Sequence, residues 1–440
     1  GGGTERWLLA RHCRAVFRCT PMPVDLHRRI DAVWREESPR IIAALMRLVR
    51  NLDLAEELAQ DTLVTALERW PDAGLPDNPG AWLMAAAKNR ALDHLRREAM
   101  LARKHAQIAQ ELDGLHDELH AAREAALDDD IGDDLLRLIF VACHPLLSRD
   151  AQVALTLRLL CGLATDEIAR AFLVPEATVA QRIVRAKRTL GEADVAFEVP
   201  RRDELPERLS AVLGVVYLVF NEGYAATAGE DWMRPALCAE ALRLGRLLVA
   251  LAPAEAEAFG LLALMELQAS RTAARTGPDG APVLLPDQDR SRWDRAAIER
   301  GLDALARARR LAPAPGPYAL QAEIAACHAR AARAQDTDWG RIVALYRALE
   351  DVSPSPVVAL NRAVAVSMHS GPAEGLAIVD GLAGEPALRG YHLLPAVRGD
   401  LLQRLGRGDE ARAEFLRAAD MTRNAREREL LLARAEAAAG

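Results

Sequence analysis

A pair of short helices joined by a tight turn is the feature that most constrains this chain. The segment from Gly162 to Leu190 reads GLATDEIARAFLVPEATVAQRIVRAKRTL, and Pro175 marks the start of its second helix. The apolar face of that helix carries Val179, Ile183, Ala186 and Leu190. Its opposite face carries Thr178, Gln181, Arg182, Arg185 and Arg188. This pattern is typical of a recognition helix in a DNA major groove, although an ordinary solvated amphipathic helix shares it.

Two further helices are predicted upstream, and they differ in charge. The first runs from Asp53 to Trp70, with Asp53 placed to cap it and Glu56 completing a capping-box pattern. Acidic and amide side chains gather on one side of this helix, at Glu57, Gln60 and Asp61. The second runs from Ala81 to Glu98 and is basic, with Lys88, Arg90, Arg96 and Arg97. Acid and base are therefore segregated onto consecutive helices.

Together these segments resemble a bacterial alternative sigma factor of the extracytoplasmic function group, in the sigma-70 family. The acidic motif of that family, D-x-x-Q-[DE]-T-[FL], is matched by Glu57, Gln60, Asp61, Thr62 and Leu63, with Glu in place of the leading Asp. The motif P-x-x-W-L-x-x-x-A-x-N-x-x-x-D-x-x-R is matched by Pro79, Trp82, Leu83, Ala87, Asn89, Asp93 and Arg96 or Arg97. Both motifs precede the helix-turn-helix, and the resemblance covers about Val24 to Leu190, less than half of the chain.

The resemblance implies three binding surfaces. The acidic helix would dock on the RNA polymerase core through Asp53, Glu57, Gln60, Asp61 and Thr62. The basic helix would open and read the −10 promoter element through Trp82, Lys88, Asn89, Arg90, Asp93, Arg96 and Arg97. The helix-turn-helix would read the −35 element as duplex DNA through Thr178, Gln181, Arg182, Arg185 and Arg188. Trp82 would stack on a base or, since it lies at helical spacing from Ala86, pack in the core.

The charge of the whole chain fits a protein that binds DNA together with a partner. The formal net charge is −7 at pH 7, whereas a protein that held DNA alone through phosphate contacts would usually be basic. Acidic residues also fill the segment from Glu111 to Asp134, between the two predicted domains. Such a run is usually a solvated connection. The resemblance adds the alternative that it passes through polymerase as a mimic of nucleic-acid charge.

Length and composition predict an all-α protein of about three units. The chain has 440 residues, few aromatic side chains and no alternating strand pattern of useful length. No apolar segment reaches transmembrane length and none resembles a secretory signal, so we expect a cytoplasmic protein with no membrane partner. The six cysteines lack metal-ligand spacing, so neither a metal nor a cofactor is expected. Residues 1–23 read unlike the rest; we expect them to be disordered or loosely docked, with Met22 as the natural first residue.

The chain continues far beyond the helix-turn-helix, and its end shows an internal repeat. The segment that begins at Ala359 resembles the one that begins at Ala396, at a period of about 37 residues, close to that of tetratricopeptide repeats. In the second copy the helix-pair pattern is matched by Leu405, Gly406, Ala411, Phe415 and Ala418. Stacked helix pairs leave a concave face that typically receives a peptide or a protein domain. An irregular helical bundle is the alternative.

Three segments, CHPLLS, FNEGY and DQDRSRWD, look like those of the subgroup of these sigma factors that carries a tetratricopeptide-like C-terminal extension. That resemblance implies regulation built into the chain in place of a separate membrane-bound anti-sigma factor. Polar and aromatic groups of the last two segments lie beside apolar helices, at Asn221, Glu222, Tyr224, Asp287, Gln288, Asp289, Arg290 and Trp293. They would form either an interdomain clamp, for example through Arg290 and a carboxylate, or a small-molecule pocket.

We therefore expect an alternative sigma factor that directs promoter-specific initiation and is regulated by its own extension. An autonomous helix-turn-helix regulator with a sensor domain is the alternative, and it would leave the acidic patch at Glu57, Gln60 and Asp61 unexplained. An enzyme is not expected, because no nucleophile with a spaced base and no phosphate-binding glycine loop appears. The predicted divisions are an N-terminal extension (1–23), region 2 (24–104), an acidic linker (105–134), region 4 (135–192), a helical extension (193–312) and helical repeats (313–440).

Overall fold

Helices form most of the described structure. The computed structural model describes residues 24–106 and 131–438, except Leu173, Arg202 and Asp279. Within these ranges there are 18 α-helices, and the two strands hold two residues each, so the predicted all-α fold is confirmed. No helix in the described ranges is both long and apolar enough to cross a membrane. The predicted N-terminal extension and most of the acidic linker lie outside the described residues.

The chain divides into two compact units. The first comprises Gly1–Ile168 and Ala180–Leu205, and the second comprises Ala169–Val179 and Pro206–Gly440. The boundary passes through the helix-turn-helix, because the turn between its two helices groups with the C-terminal part of the chain.

Helix α1 is the centre of the first unit, because it packs against α2, α3, α4 and α5. The helices up to Glu192 in the described ranges are α1 (Val24–Val49), α2 (Leu52–Ala73), α3 (Pro79–Ala106), α4 (Ile131–Ala142), α5 (Arg149–Leu160), α6 (Thr165–Phe172) and α7 (Glu176–Glu192). Fully buried side chains such as Ile41, Leu45 and Leu83 form the core around α1. Helix α4 begins at Ile131 and so overlaps the last four residues of the predicted linker; Asp134 therefore lies in a helix, and it is fully buried.

Helix α2 starts two residues earlier than its sequence pattern indicates. Its N-cap is Asn51, whose side-chain oxygen accepts a hydrogen bond from the Leu54 amide at 3.0 Å. The predicted cap, Asp53, is therefore wrong: Asp53 lies in the first turn, where its charge is favourable beside the unpaired amides.

A glycine allows the turn before α6 to approach α1 closely. Gly162 has a φ of 63°, and a Cβ atom there would lie 3.1 Å from the Ser38 hydroxyl and 3.4 Å from the Arg35 Cα. The backbone conformation and the small space both favour glycine. This contact brings the second half of the first unit onto its first helix.

The second unit is a succession of packed helices. Its helices after Glu192 are α8 (Leu205–Tyr224), α9 (Pro235–Leu251), α10 (Ala256–Ala269), α11 (Arg295–Leu311), α12 (Pro317–Arg330), α13 (Trp339–Val352), α14 (Pro356–His369), α15 (Pro372–Gly381), α16 (Leu393–Arg404), α17 (Gly408–Met421) and α18 (Ala425–Ala437). From α12 to α18 each helix packs against the next one along the chain. This order is that of stacked helix pairs.

The two copies of the sequence repeat fold as the helix pairs α14 with α15 and α16 with α17. In the second pair Ala411, Phe415 and Ala418 are fully buried, as the repeat pattern requires. A Cβ atom on Gly399 would lie 2.8 Å from the Phe415 ring, so the small residue lets the two helices approach. The sequence pattern thus predicts the pairing and the buried residues of α17, whereas the close approach at Gly399 lies outside it.

The segment between α10 and α11 is irregular, as its proline and glycine content predicts. It contains the short 3-10 turns Leu285–Asp287 and Arg290–Arg292. A contact that the sequence does not predict joins β1 (Ala228–Gly229) to β2 (Arg423–Asn424) in parallel. The buried Asn424 amide donates to the Ala226 carbonyl at 3.0 Å and to the Asp231 carbonyl at 2.8 Å. These bonds hold the end of the chain against the loop after α8.

Candidate functional site

The acidic face of α2 is exposed. Asp53, Glu57, Gln60 and Asp61 all present their side chains at the surface. The Asp61 carboxylate lies 3.8 Å from the Arg90 guanidinium of α3, and the Gln60 amide donates to the Glu56 carboxylate at 3.1 Å. The predicted acidic surface is thus a continuous patch on one helix.

Thr62 is placed differently from the other four residues predicted for this surface. Its side chain is fully buried, and its hydroxyl donates to the Leu58 carbonyl at 2.8 Å. One residue turns the helix by about 100°, so the neighbour of an exposed Asp61 falls on the inner face. Its hydroxyl is satisfied within the helix and does not belong to the exposed patch.

A buried ion cluster that the sequence does not predict lies beside the acidic patch. The carboxylate of Glu56 accepts a hydrogen bond from Arg158 Nε of α5 at 2.7 Å and lies 2.7 Å from Lys187 Nζ of α7. The same ammonium lies 2.9 Å from the Asp53 carboxylate. Burial alone would raise the pKa of Glu56, but Arg158 and Lys187 outweigh it and lower that pKa below its ordinary value. Burial would likewise lower the pKa of Lys187, but Glu56 and Asp53 outweigh it and raise that pKa.

Two more charged contacts join the first three helices to those that follow. Fully buried Asp134 of α4 lies 2.8 Å from Arg137 Nη1 and 3.4 Å from Arg47 Nε of α1. At the surface, Arg35 of α1 lies 2.5 Å from the Glu167 carboxylate of α6. Within the first unit, the predicted regions 2 and 4 are therefore packed together.

Trp82 on the basic helix α3 is half-buried. Its ring meets that of the buried Trp70 edge to face, with centroids 5.4 Å apart and an angle of 65° between the rings. The ring therefore packs against the core and is partly accessible, and its stacking on a base stays a prediction.

The other predicted −10 residues follow Trp82 along α3. Asn89, Asp93, Arg96 and Arg97 are exposed, and Asp93 pairs with Arg96 at 2.9 Å. Lys88 and Arg90 are half-buried, and the Arg90 guanidinium donates to the Thr65 hydroxyl of α2. The exposed part of the predicted set therefore lies around the middle of the helix.

Helix α7 has the two faces that its sequence predicts. Val179, Ile183, Ala186 and Leu190 are all buried. On the other face Gln181, Arg185 and Arg188 are exposed, while Thr178 and Arg182 are half-buried. Surface carboxylates accompany two of the cations: Asp150 lies 2.9 Å from Arg182, and Glu192 lies 3.5 Å from Arg188.

In the second unit, Arg234 binds the end of α6, the first helix of the helix-turn-helix. Its Nη1 donates to the Ala171 carbonyl and to the Glu222 carboxylate, and its Nη2 donates to the Ala228 carbonyl at 2.8 Å. Glu222 is buried and also accepts a hydrogen bond from the Thr227 hydroxyl at 2.9 Å. Glu222, one of the predicted clamp residues, thus orients an arginine that the sequence analysis missed, because the two residues meet only in the fold.

The two predicted clamp segments meet around three arginines. The Arg275 guanidinium lies 3.5 Å from the centre of the Tyr224 ring and donates to the Tyr224 carbonyl. Arg271 lies between the rings of Tyr224 and Trp293, 5.8 Å and 6.0 Å from their centres. Arg290 lies 4.6 Å from the Trp293 ring. Half-buried Asn221 hydrogen-bonds the Tyr217 side chain nearby.

Arg290 has no carboxylate partner within 4.0 Å in the described ranges. The prediction that it pairs with a carboxylate in an interdomain clamp is therefore wrong. Its Nη1 instead donates to the carbonyls of His328 and Ala331 at 2.6 and 2.7 Å, and its Nη2 lies 3.4 Å from the Thr337 hydroxyl. It caps the C-terminal end of α12, where helix carbonyls lack helical partners.

The remaining predicted residues of this segment serve its local turns. Buried Gln288 donates to the Val283 carbonyl at 3.1 Å. Exposed Asp289 accepts from the Ser291 amide and hydroxyl at 2.9 and 2.6 Å, and Asp287 is exposed. These contacts shape the turn that presents Arg290.

Three family models match the chain. Sigma-70 region 2 matches residues 33–100, sigma-70 region 4 matches residues 137–190, and a family of unknown function, DUF6596, matches residues 208–309. An uncharacterised protein of Rhizobium meliloti (strain 1021) is 47% identical over 399 residues, which cover 90% of this chain and 93% of the relative. A probable ECF RNA polymerase sigma factor, SigI, of Mycobacterium tuberculosis is 25% identical over 175 residues, which cover 39% of this chain and 58% of SigI.

Proposed function

Because the chain belongs to the extracytoplasmic function group of the sigma-70 family and carries a helical C-terminal extension, we propose that it directs promoter-specific transcription initiation and is regulated by that extension. The partners in this proposal are the RNA polymerase core and promoter DNA. A peptide or protein partner on the concave face of the C-terminal repeats stays a prediction.

The exposure of the predicted side chains supports three binding surfaces in this proposal. Asp53, Glu57, Gln60 and Asp61 of α2 bind the polymerase core, and their exposure supports that role. The −10 element is read by the predicted face of α3, with Asn89, Arg96 and Arg97 the most accessible of its side chains. The −35 element is read by the exposed face of α7, around Gln181 and Arg185.

The packing of regions 2 and 4 onto each other supports a closed state that opens before promoters are read. The −10 and −35 elements are centred about 25 base pairs apart by their names, or about 85 Å along B-DNA at 3.4 Å per base pair. We therefore infer that the two regions, which are joined through Glu56, Arg158 and Lys187, separate before both elements are bound. The buried cluster at Glu56 is the observation that carries this part of the proposal.

The contact between Arg234 and Ala171 supports control by the extension. Ala171 lies at the end of α6, directly before the turn that leads into the predicted recognition helix. An arginine from the segment after α8 holds the carbonyl of that residue. We infer that this contact lets the C-terminal part of the chain influence the end of α6 and the turn that follows it.

Run-off transcription with bacterial core polymerase tests the sigma role. The template is a promoter from the gene neighbourhood of the protein, and the full-length chain is compared with Asp61→Lys and with the control Asp72→Lys, which reverses another exposed charge on α2. We expect transcripts that depend on the added protein, lost with Asp61→Lys and kept with Asp72→Lys. Tight duplex binding without polymerase-dependent transcription would instead favour the autonomous regulator.

The same assay tests the role of the extension. Arg234→Lys keeps a positive charge near Glu222 but removes the forked reach to Ala171 and Ala228. We expect transcription to change at least twofold in yield while core polymerase affinity stays constant. Arg295→Lys, at an exposed position on α11, is the control. Unchanged transcription with Arg234→Lys would contradict control through this contact.

A further inference from the structure

A cavity of about 620 Å³ lies within the second unit, among the loop before α11 and the helices α12, α14, α16 and α18. Its volume falls in the range of about 300 to 1,000 Å³ that is usual for sites of small molecules and cofactors. Most of the wall is apolar and includes Trp232, Leu284, Leu285, Trp339, Val397 and Leu430. Such a wall favours a ligand with a largely apolar body.

Arg290 brings a buried positive charge to this wall without a negative partner. Its residue is 9% exposed, and its Nε atom has no hydrogen-bond partner. The other guanidinium nitrogens contact neutral oxygens, and no carboxylate lies within 4.0 Å in the described part of the chain. Burying an unpaired charge is costly, so this arrangement favours an anion at the cavity.

The other charged residues of the wall leave the cavity positive. Arg404 donates to the hydroxyl and carbonyl of Ser367, both at 3.1 Å, and has no carboxylate within 4.0 Å in the described ranges. The two carboxylates of the wall are already engaged: Asp400 pairs with Arg434, and Glu427 lies 2.9 Å from the His392 imidazole. The wall thus holds three arginines, Arg290, Arg404 and Arg434, against these two carboxylates, so its net charge is positive.

His328 supplies a neutral polar contact beside Arg290. It is 8% exposed, lines the cavity, and its Nδ1 atom has no hydrogen-bond partner. Burial, with added repulsion from Arg271 and Arg290, lowers the pKa of His328 to about 4, so the ring is neutral at pH 7. A neutral imidazole hydrogen-bonds a head group without adding another charge.

We propose that this cavity binds a small amphiphilic carboxylate, with its anionic head at Arg290 and His328 and its apolar body against the leucine and tryptophan side chains. The apolar wall selects the body, and the unmatched arginines select the sign of the head group. None of the residues that line this cavity belongs to the three surfaces proposed for polymerase and promoter, so the site adds a ligand to the proposed function.

Titration calorimetry on the full-length protein, without polymerase, tests the site with three ten-carbon probes. Decanoate carries the negative head, decanol is neutral, and decyltrimethylammonium is positive. We expect saturable binding of one decanoate per chain, at least tenfold tighter than decanol, with decyltrimethylammonium weakest. The fluorescence of Trp232 and Trp339, which line the cavity, should change with the same saturation curve.

Matched variants locate the binding. Arg290→Gln should weaken decanoate at least tenfold and leave decanol within twofold, whereas Arg292→Gln, exposed in the same turn, should change neither. Because Arg290 also caps α12, a second variant leaves it intact: Ala396→Trp narrows the cavity and should abolish binding of both probes. Circular dichroism establishes that each variant is folded.

Three results would overturn the proposal. They are no saturable decanoate binding by the folded full-length chain, equal affinity for the negative and positive probes, and unchanged decanoate affinity in both Arg290→Gln and Ala396→Trp. Binding of an apolar peptide with a blocked C-terminus, but not of decanoate, would also overturn it and assign the cavity to a peptide. None of these results bears on transcription, so the proposed sigma function is tested separately.

Discussion

Glu56 and Lys187 form a buried ion pair, with 2.7 Å between the carboxylate and the ammonium, and they join the helix of the acidic patch to the predicted recognition helix. Glu56 precedes Glu57 of the acidic patch, and Lys187 precedes Arg188 of the predicted DNA-reading face. A second cation, Arg158, shares the same carboxylate. The pair thus lies between two surfaces that must separate for the proposed function.

Removing the Glu56 charge should strongly destabilise the packing of α7 against α2. Glu56→Gln leaves Arg158 and Lys187 partly buried beside a neutral group, and breaking a buried pair in this way costs about 3–5 kcal/mol. Hydrogen exchange should show the free energy of local opening of α7 falling by about that amount. Arg188→Gln, whose partner Glu192 is exposed, should change it by less than about 0.5 kcal/mol. Equal hydrogen-exchange protection of α7 in the wild type and in Glu56→Gln would contradict this role of the ion pair.

Removing the Lys187 charge should favour binding to polymerase. Lys187→Met frees Asp53 and leaves Glu56 neutralised by Arg158, so the closed state weakens while the acidic patch stays intact. We expect affinity for core polymerase, measured without DNA, to rise at least threefold. Arg185→Met removes the same charge from an exposed position on α7 and should leave that affinity unchanged. A lower affinity in Lys187→Met would indicate that Lys187 itself contacts polymerase.

His328 should make the stability of the second unit depend on pH. Its pKa is lowered from an ordinary 6.5 to about 4 by burial and by Arg271 and Arg290, so the unfolded chain binds more protons between these values. The contribution of the neutral ring to the free energy of unfolding is complete above pH 6.5. It is lost as the pH falls toward 4, and the full loss is about 3 kcal/mol.

Urea denaturation at pH 7 and pH 4.5 measures this loss. His328→Phe keeps a ring against Trp339 and should lose less stability on acidification than the wild type does. The exposed His369, replaced by Phe, should leave the wild-type dependence intact. An identical pH dependence in His328→Phe and wild type would show that other groups cause the loss.

Sequence periodicity predicts which side of a helix is buried but not which distant residue meets it. The apolar face of α7, at Val179 and Ile183, follows from spacing alone. The motif groups the buried Thr62 with exposed residues because it records adjacent positions, whereas one step along a helix moves a side chain to another face. The partners of Glu56 and Arg290 lie on other helices, and no local pattern specifies them. Long-range polar contacts are therefore what the sequence analysis misses.

The exposed face of α7 leads to a prediction that separates base reading from charge. Arg185 is exposed and has no ion pair in the described ranges, so Arg185→Ala should weaken holoenzyme binding to the −35 element by about 1–3 kcal/mol if it contacts base edges. Arg182 must break its ion pair with Asp150 before it can contact DNA. Such a surface pair stabilises the protein by at most about 1 kcal/mol. Asp150→Asn should therefore strengthen DNA binding up to fivefold. Fluorescence anisotropy with native and scrambled −35 duplexes checks both: an equal loss on the two duplexes with Arg185→Ala would identify a phosphate contact instead.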